Sequence, residues 1–497
     1  MNIYGYSPFG YEGALVTVEA DLRHGIPSVD IVGLADGSVK ESRERMKAAI
    51  KNSGFDFPDE RVLISLAPAD LKKEGAGFDL AMAMVVLYTQ NLVAHATDSW
   101  LCYGELELSG KIRPVRGTYA ALETAYKAGI TKAIVPACIP DGEIPCGITA
   151  YRAETLKQAW HIATIADSGS TPKTPACPAE CGIEFPVTFS DGTIDGIKKP
   201  ALVRAMMIAA AGRHHLLAVG KPGCGKTLAL QHFPELLPAL TAEEMQTTTR
   251  IHSIAGLLSR GVTLSRAQPF RMPHQTASLE GMCGGGVGCR PGEISLAHNG
   301  VLFLDEAAEF RTSVLSMLRV PVETGSISVS RAGRTTVYPA NFQLVMAANP
   351  CPCGNYGEKE RVCLCSAHSV EQYWKKFTAP LIDRIAIRVH VTDKNDDTAQ
   401  PSLEEMRGMI ARATKTQRKR GAYNQRLSPH EVLSFCVMTE RASALFGELT
   451  GISERARTNV LRVARTIADL DGVGEIESGH IEEAAGLATW TLPEMMQ

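Results

Sequence analysis

The run HHLLAVGKPGCGKTLALQHF, residues 214–233, restricts what this chain can fold into more than any other stretch. An apolar, strand-length segment ends in GKPGCGKT, residues 220–227, and a helical segment follows at once. Glycines in this pattern let backbone N–H groups turn inward around phosphate oxygens, and the helix start adds its partial positive charge. The loop therefore assigns Gly220, Lys221, Pro222, Gly223, Cys224, Gly225, Lys226 and Thr227 to nucleotide binding. Lys226 would reach the β- and γ-phosphates, and Thr227 would ligate Mg²⁺. A strand, loop and helix of this kind belong to an α/β domain built on a buried parallel sheet.

Two later runs supply the partners such a loop needs. VLFLDE, residues 301–306, is an apolar strand with two carboxylates at its carboxyl end. Asp305 would hold Mg²⁺, and Glu306 would orient and deprotonate the attacking water. FQLVMAAN, residues 342–349, is a second buried strand, and Asn349 at its end would position the same water or the γ-phosphate.

The series GKPGCGKT, LFLDE and AANP resembles an AAA+ ATPase. That resemblance implies ATP and Mg²⁺ as cofactors and an arginine offered to a neighbouring subunit. APLIDRIAI, residues 379–387, is similar to the arginine-finger segment of the magnesium-chelatase-like branch, which makes Arg384 the finger. A surface pair between Asp383 and Arg384 is the plainer alternative. Arg455, in SERARTNVLRVA, fits the sensor-2 arginine of the lid, with Arg457 and Arg462 as near competitors.

The long segments 269–310 and 329–354 and the N-terminal VDIVGLADGSVKESRERMKAAIKNSGFDFP, residues 29–58, are similar to the ComM/YifB family. This resemblance runs essentially end to end. It implies a bacterial ring, typically a hexamer, that drives branch migration of DNA. Single-stranded and branched DNA and other recombination proteins would be its partners. A magnesium-chelatase motor subunit, a Lon-type peptidase and an ATP-gated scaffold that remodels protein are the rival readings.

With 497 residues the chain is too long for one ordinary core. ADSGSTPKTPACPAEC, residues 166–181, reads as a linker. We divide the chain into an α/β domain over 1–165, a linker over 166–185, an AAA+ domain over 186–392 and a helical lid over 393–497. KEGAGFDLAM and the segment 104–136 resemble the proteolytic domain of Lon, whose chemistry needs a Ser activated by a Lys. Aligned on that resemblance, Gly77 takes the Ser position and Tyr119 the Lys position, so the domain should be non-proteolytic. It would bind DNA or help assemble the ring instead. Lys40, Arg43, Arg45 and Lys47 are its basic contacts, though Glu41 and Glu44 between them favour a solvated face.

A net charge of −3 gives no global sign of DNA binding, so that must be argued locally. SISVSRAGRTTVYPA reads as two short strands about the turn Ala332-Gly333, with Arg331 and Arg334 flanking it. A basic tip of that kind can grip phosphates without reading bases. A solvated hairpin is the alternative. The stretch GMCGGGVGCRPGE, residues 281–293, is either a mobile loop or a tight one. Seven Lys and Arg side chains and no acids fall between Arg407 and Arg426, a solvated helix face or a DNA surface.

Cys351, Cys353, Cys363 and Cys365 form a C-x-C-x₉-C-x-C pattern. Four thiolates suit tetrahedral structural Zn²⁺, although paired knuckle cysteines usually have two residues between them. His368 is a substitute ligand. A redox pair and unligated thiols stay open. Cys224 reads as a small filler. No basic-then-apolar leader opens the chain, and no apolar run approaches the ~18 residues of a membrane span. The expectation is a cytoplasmic protein, in which the 13 cysteines, an odd number, are thiols or metal ligands.

Overall fold

A computed structural model describes residues 2–91, 98–165, 182–190, 192–258, 266–286, 288–331, 334–356, 362–377, 379–392 and 400–488. The linker 166–181 and the turn Ala332-Gly333 lie outside the described residues.

The N-terminal part is a mixed seven-stranded sheet. Its strands run in the spatial order Ser28–Val32, Arg61–Ala67, Ala14–Arg23, Asn2–Ser7, Ser99–Cys102, Lys132–Pro136 and Thr149–Ala153. Side chains alternate across it. Ile3 and Trp100 enter a core with Ile64 and Met82, while Tyr6 and Leu101 enter another with Leu122 and Val135. The helix Gly37–Asn52 starts on the Asp36 side chain, which accepts from the Val39 N–H. Arg45 on that helix is held by the fully buried Asp79 at 2.9 Å, so it is not free for a partner. Gly77 has no room for a serine, since a Cβ there would lie 2.4 Å from the Tyr103 ring. Tyr119 is fully buried. Both positions are packing positions.

The second part carries a five-stranded parallel sheet in the order Phe270–Arg271, Val301–Leu304, Gln343–Ala348, Leu216–Gly220 and Ile387–Val391. The three central strands are buried at every residue, which explains why they are continuous apolar runs rather than alternating ones. The helix Pro200–Gly212, with proline at its first position, packs on one face. The lid helices Leu403–Arg420, Glu454–Asp471 and Ser478–Ala488 join the same core. Leu216, Phe303 and Val345 are continuous with Ile410, Val463 and Ile481. The P-loop domain and the lid therefore share one core.

The basic run of the lid divides: Arg412, Lys415 and Lys419 are exposed, while the other four are engaged. Arg407 donates to the Glu235 and Val187 carbonyls at 2.9 and 2.6 Å, and Arg418 donates to the Ala239 carbonyl at 2.8 Å. Arg420 pairs with Asp469, and Arg426 donates to Asn341 Oδ1 at 2.7 Å. Arg407, Arg418 and Arg426 fasten the lid to the P-loop domain, and Arg420 ties two lid helices together.

The two parts are also joined. Arg250, on the helix Ala242–Ala255, donates to the Tyr11 and Glu12 carbonyls at 2.9 and 2.7 Å and to Glu123 at 2.7 Å. The loop before the second N-terminal strand reaches the hairpin Ser326–Arg331/Arg334–Pro339, where the Tyr11 N–H donates to Thr336 Oγ1 at 3.0 Å. The hairpin pairs in the expected register, with Arg331 opposite Arg334. The Arg334 guanidinium stacks 3.9 Å from the Phe9 ring, so this arginine is braced by the N-terminal part. Within the glycine stretch, Gly284–Gly285 pairs with Arg290–Pro291.

Candidate nucleotide site

The strand Leu216–Gly220 carries the chain into the loop, and the helix Lys226–Gln231 leaves it. Gly223 and Gly225 have φ of 80° and 88°, the left-handed region that only glycine adopts cheaply. Lys226 is buried, and its Nζ donates to the Gly220 and Lys221 carbonyls at 2.5 and 2.7 Å and to Asn349 Oδ1 at 3.3 Å. Burial lowers its pKa, and Cys224, Asp305 and Glu306 oppose that shift. The Thr227 hydroxyl donates to Asp305 Oδ1 at 2.9 Å. A hydroxyl and a carboxylate side by side are hard oxygen donors, the set Mg²⁺ takes alongside phosphate oxygens.

Glu306 is exposed and sits at φ 47°, a left-handed backbone held by a non-glycine residue. Such conformations persist where the surroundings over-determine them, commonly at functional positions. Here the Glu306 N–H donates to Asp305 Oδ1 at 3.0 Å. The cavity of about 310 Å³ beside the loop is lined by Pro222, Lys226, Thr227, Asp305, Glu306 and Asn349 among others. The structure thus brings Pro222, Gly223, Gly225, Lys226, Thr227, Asp305, Glu306 and Asn349 to one cavity, while Gly220, Lys221 and Cys224 do not line it. A second hollow of about 220 Å³ joins Asp305 and Glu306 to Met272, Pro273, His274 and Gln275. His274 and Gln275 carry no motif of their own, and their place beside the carboxylates is visible only in three dimensions.

Arg384 and Arg455 are elsewhere. Among the described residues no arginine lines the nucleotide cavity. Arg384 pairs with Glu323, not with Asp383 as the plain alternative had it, and Arg455 reaches the other oxygen of Glu323 at 3.1 Å. The hydrogen bond from Arg384 holds the Glu323 carboxyl below its ordinary range. Arg457 and Arg462 are bound to the Leu449 and Leu427 carbonyls. Glu323 itself gave no sign in the sequence.

The four cysteines converge. Their Sγ atoms all lie within 4.8 Å of one another, with Cys351–Cys353 at 3.4 Å, Cys353–Cys363 at 3.5 Å and Cys351–Cys363 at 3.7 Å.

Comparison with known proteins follows this layout. The family model described as magnesium chelatase, subunit ChlI, matches residues 194–399. Two further models, the ChlI subunit of Mg-chelatase and the ChlI C-terminal region, match residues 18–138 and 400–487. Competence protein ComM of Haemophilus influenzae is 34% identical over 499 residues, 97% of this chain and 96% of that one. YifB of Escherichia coli is 35% identical over 500 residues, again 97% and 96%. The chain belongs to the ComM/YifB family of magnesium-chelatase-like AAA+ proteins. An uncharacterized protein of Mycobacterium tuberculosis strain H37Rv is 37% identical over 507 residues, 96% of each chain. The P-loop domain of this ComM/YifB member is accordingly an AAA+ domain, with the helical region 400–488 as its C-terminal part. Among the described residues no helix is long and apolar enough to cross a membrane.

Proposed function

We propose that this chain is an ATP-driven, ring-forming DNA motor that promotes branch migration during homologous recombination. The observation that carries the reading is the divided site. Lys226, Thr227, Asp305, Glu306 and Asn349 meet in one cavity without an arginine, while Arg384 and Arg455 gather on Glu323. An AAA+ site needs positive charge against the transferring phosphoryl group, and a neighbouring copy is the source that ring assembly provides. A hexamer in which each chain lends Arg384 to the next site satisfies that need.

Within such a ring the hairpin ending at Arg331 and Arg334 is the DNA-contacting element. Its root is set in the core through Ile327, Val329 and Tyr338, so motion of the P-loop domain is transmitted to the tip. Single-stranded and branched DNA are the partners this implies, and the competence protein among the relatives supports a role with incoming DNA. The magnesium-chelatase descriptions of the matching family models favour a second reading, a motor subunit for metal insertion into a porphyrin. The two part in one assay. ATP hydrolysis is measured with single-stranded DNA, with a four-way junction and with a porphyrin, and the labelled junction is followed for strand exchange. The DNA-motor reading expects stimulation by DNA and ATP-dependent resolution of the junction. Turnover indifferent to every DNA form, in a preparation that assembles rings, contradicts it.

A further inference from the structure

We propose that Cys351, Cys353, Cys363 and Cys365 hold one zinc ion, and that this metal centre positions Asn349 and the P-loop for ATP. The coupling half rests on the ATPase reading above; the metal half does not.

The sulfur positions fit the ion. Four Zn–S bonds of about 2.3 Å directed to the corners of a tetrahedron place the sulfurs about 3.8 Å apart. Three of the pairs here lie at 3.4, 3.5 and 3.7 Å. A disulfide would draw two sulfurs to about 2.05 Å and leave the others aside; convergence of all four on one point is the geometry of a shared centre.

The neighbouring side chains show that apolar burial does not fold this segment. Val362 is 79% exposed and Leu364 is 89% exposed, while Cys363 and Cys365 between and after them turn inward. Burying a large aliphatic side chain is worth roughly 1.5–3 kcal/mol, so a segment folded by the hydrophobic effect would face the other way. Metal–thiolate bonds supply folding energy of their own and reverse that preference.

The centre also adjoins two residues that line the nucleotide cavity, Asn349 and Pro222. Cys351 is fully buried two residues beyond Asn349, and the Trp374 indole holds the intervening Pro350 carbonyl at 2.9 Å. The chain then turns through Gly354, whose N–H donates to the Cys351 carbonyl at 3.0 Å. Gly354 has φ +78°, and a Cβ on it would lie 2.3 Å from Pro222 Cδ of the P-loop. Metal bonds on Cys351 and Cys353 thus fix a turn that touches the P-loop on one side and continues into Asn349 on the other. A displacement of about 1 Å in such positioning groups is enough to cost up to ~100-fold in rate.

The test uses the full-length protein with Mg²⁺ in excess throughout. Metal content is measured per chain, then zinc is removed with a zinc-selective chelator and added back. KM and kcat for ATP and binding of a fluorescent ATP analogue are read at each stage. The expected result is one zinc per chain, a rise in KM and a fall in kcat on removal, together about tenfold or more in kcat/KM, and recovery with added zinc. Cys353→Ser should lose the metal and show the same shift. Gly354→Ala should keep the zinc and still raise KM, because the added Cβ presses on Pro222. A chain purified without metal that binds and hydrolyses ATP normally overturns the metal site alone. A zinc-loaded chain whose KM and kcat survive stripping overturns the coupling. A zinc-loaded chain that binds no ATP analogue overturns both the coupling and the ATPase reading.

Discussion

Glu306 shows what a single residue does in this protein. It lies two residues beyond the buried strand Val301–Leu304, its own backbone is left-handed and its side chain is exposed beside the cavity. Asp305 next to it is already occupied by the Thr227 hydroxyl and the Glu306 N–H. That division leaves Glu306 as the carboxylate free to meet a water. Glu306→Gln keeps the shape and removes the base, so ATP binding should persist and turnover should fall about 100-fold or more. Equilibrium binding and single-turnover hydrolysis separate the two, and undiminished turnover would take Glu306 out of the chemistry. At this scale the sequence was informative where chemistry is local. Lys226, Thr227, Asp305, Glu306 and Asn349 follow the carboxyl ends of three apolar strand runs, and a parallel sheet brings such ends to one edge. Glu323 was illegible for the opposite reason: it is 61 residues from Arg384 and 132 from Arg455, and only tertiary packing selects it.

At the scale of elements, the strand Leu216–Gly220 is introduced by two buried histidines. Burial pushes the pKa of His214 and of His215 down to about 3. His215 Nδ1 accepts the Leu344 N–H of the adjoining sheet region at 2.9 Å, so protonation there would set two donors against each other. In the unfolded chain each histidine titrates near 6.5. Between about pH 6.5 and 3 the unfolded state therefore binds more protons than the folded state. Stability from this source is complete above pH 6.5 and is lost as pH falls, by up to about 1.4 kcal/mol per pH unit for each histidine. His215→Asn preserves an acceptor and cannot take up the proton. Its melting temperature should fall less between pH 7 and 5 than that of the wild type, and equal slopes would show that His215 does not carry the effect.

Other elements divide between legible and hidden in the same way. The three buried strands announce themselves as apolar runs, and the hairpin at Ser326–Pro339 is readable from its alternation. The lid helix Leu403–Arg420 was readable as a helix, but the destination of its arginines was not. Carbonyl acceptors such as those of Glu235 and Ala239 have no residue signature, so docking by Arg407 and Arg418 cannot be told from solvation before the fold is known.

Across the whole molecule, Arg250 is the most heavily bonded of several side chains that fasten the N-terminal part to the AAA+ part. This side chain is 5% exposed and serves two carbonyls and the Glu123 carboxylate at once. Removing it takes away all three contacts at once and leaves Glu123 with Lys127 at 2.6 Å on its other oxygen. Arg250→Ala should split a single calorimetric transition into two and expose the N-terminal part to proteolysis. One undivided transition at the wild-type temperature would contradict that account. Because the loop carrying Phe9 and Tyr11 also grips the hairpin, the same variant should weaken DNA stimulation more than basal hydrolysis. Nothing in the sequence linked residue 250 to residues 11 and 12, since the link is made by main-chain oxygens.

The central claim is that the nucleotide site is completed by an arginine from a neighbouring copy. Mixing two inactive variants tests it directly. Lys226→Ala removes the P-loop lysine and keeps Arg384; Arg384→Ala does the reverse and should lower turnover about 10³-fold on its own. If the site is shared, mixed rings regain ATP hydrolysis, because some interfaces pair an intact P-loop with an intact Arg384. If the mixture of the two proteins, shown to co-assemble, hydrolyses no more ATP than either alone, Arg384 does not act across the interface and the account fails.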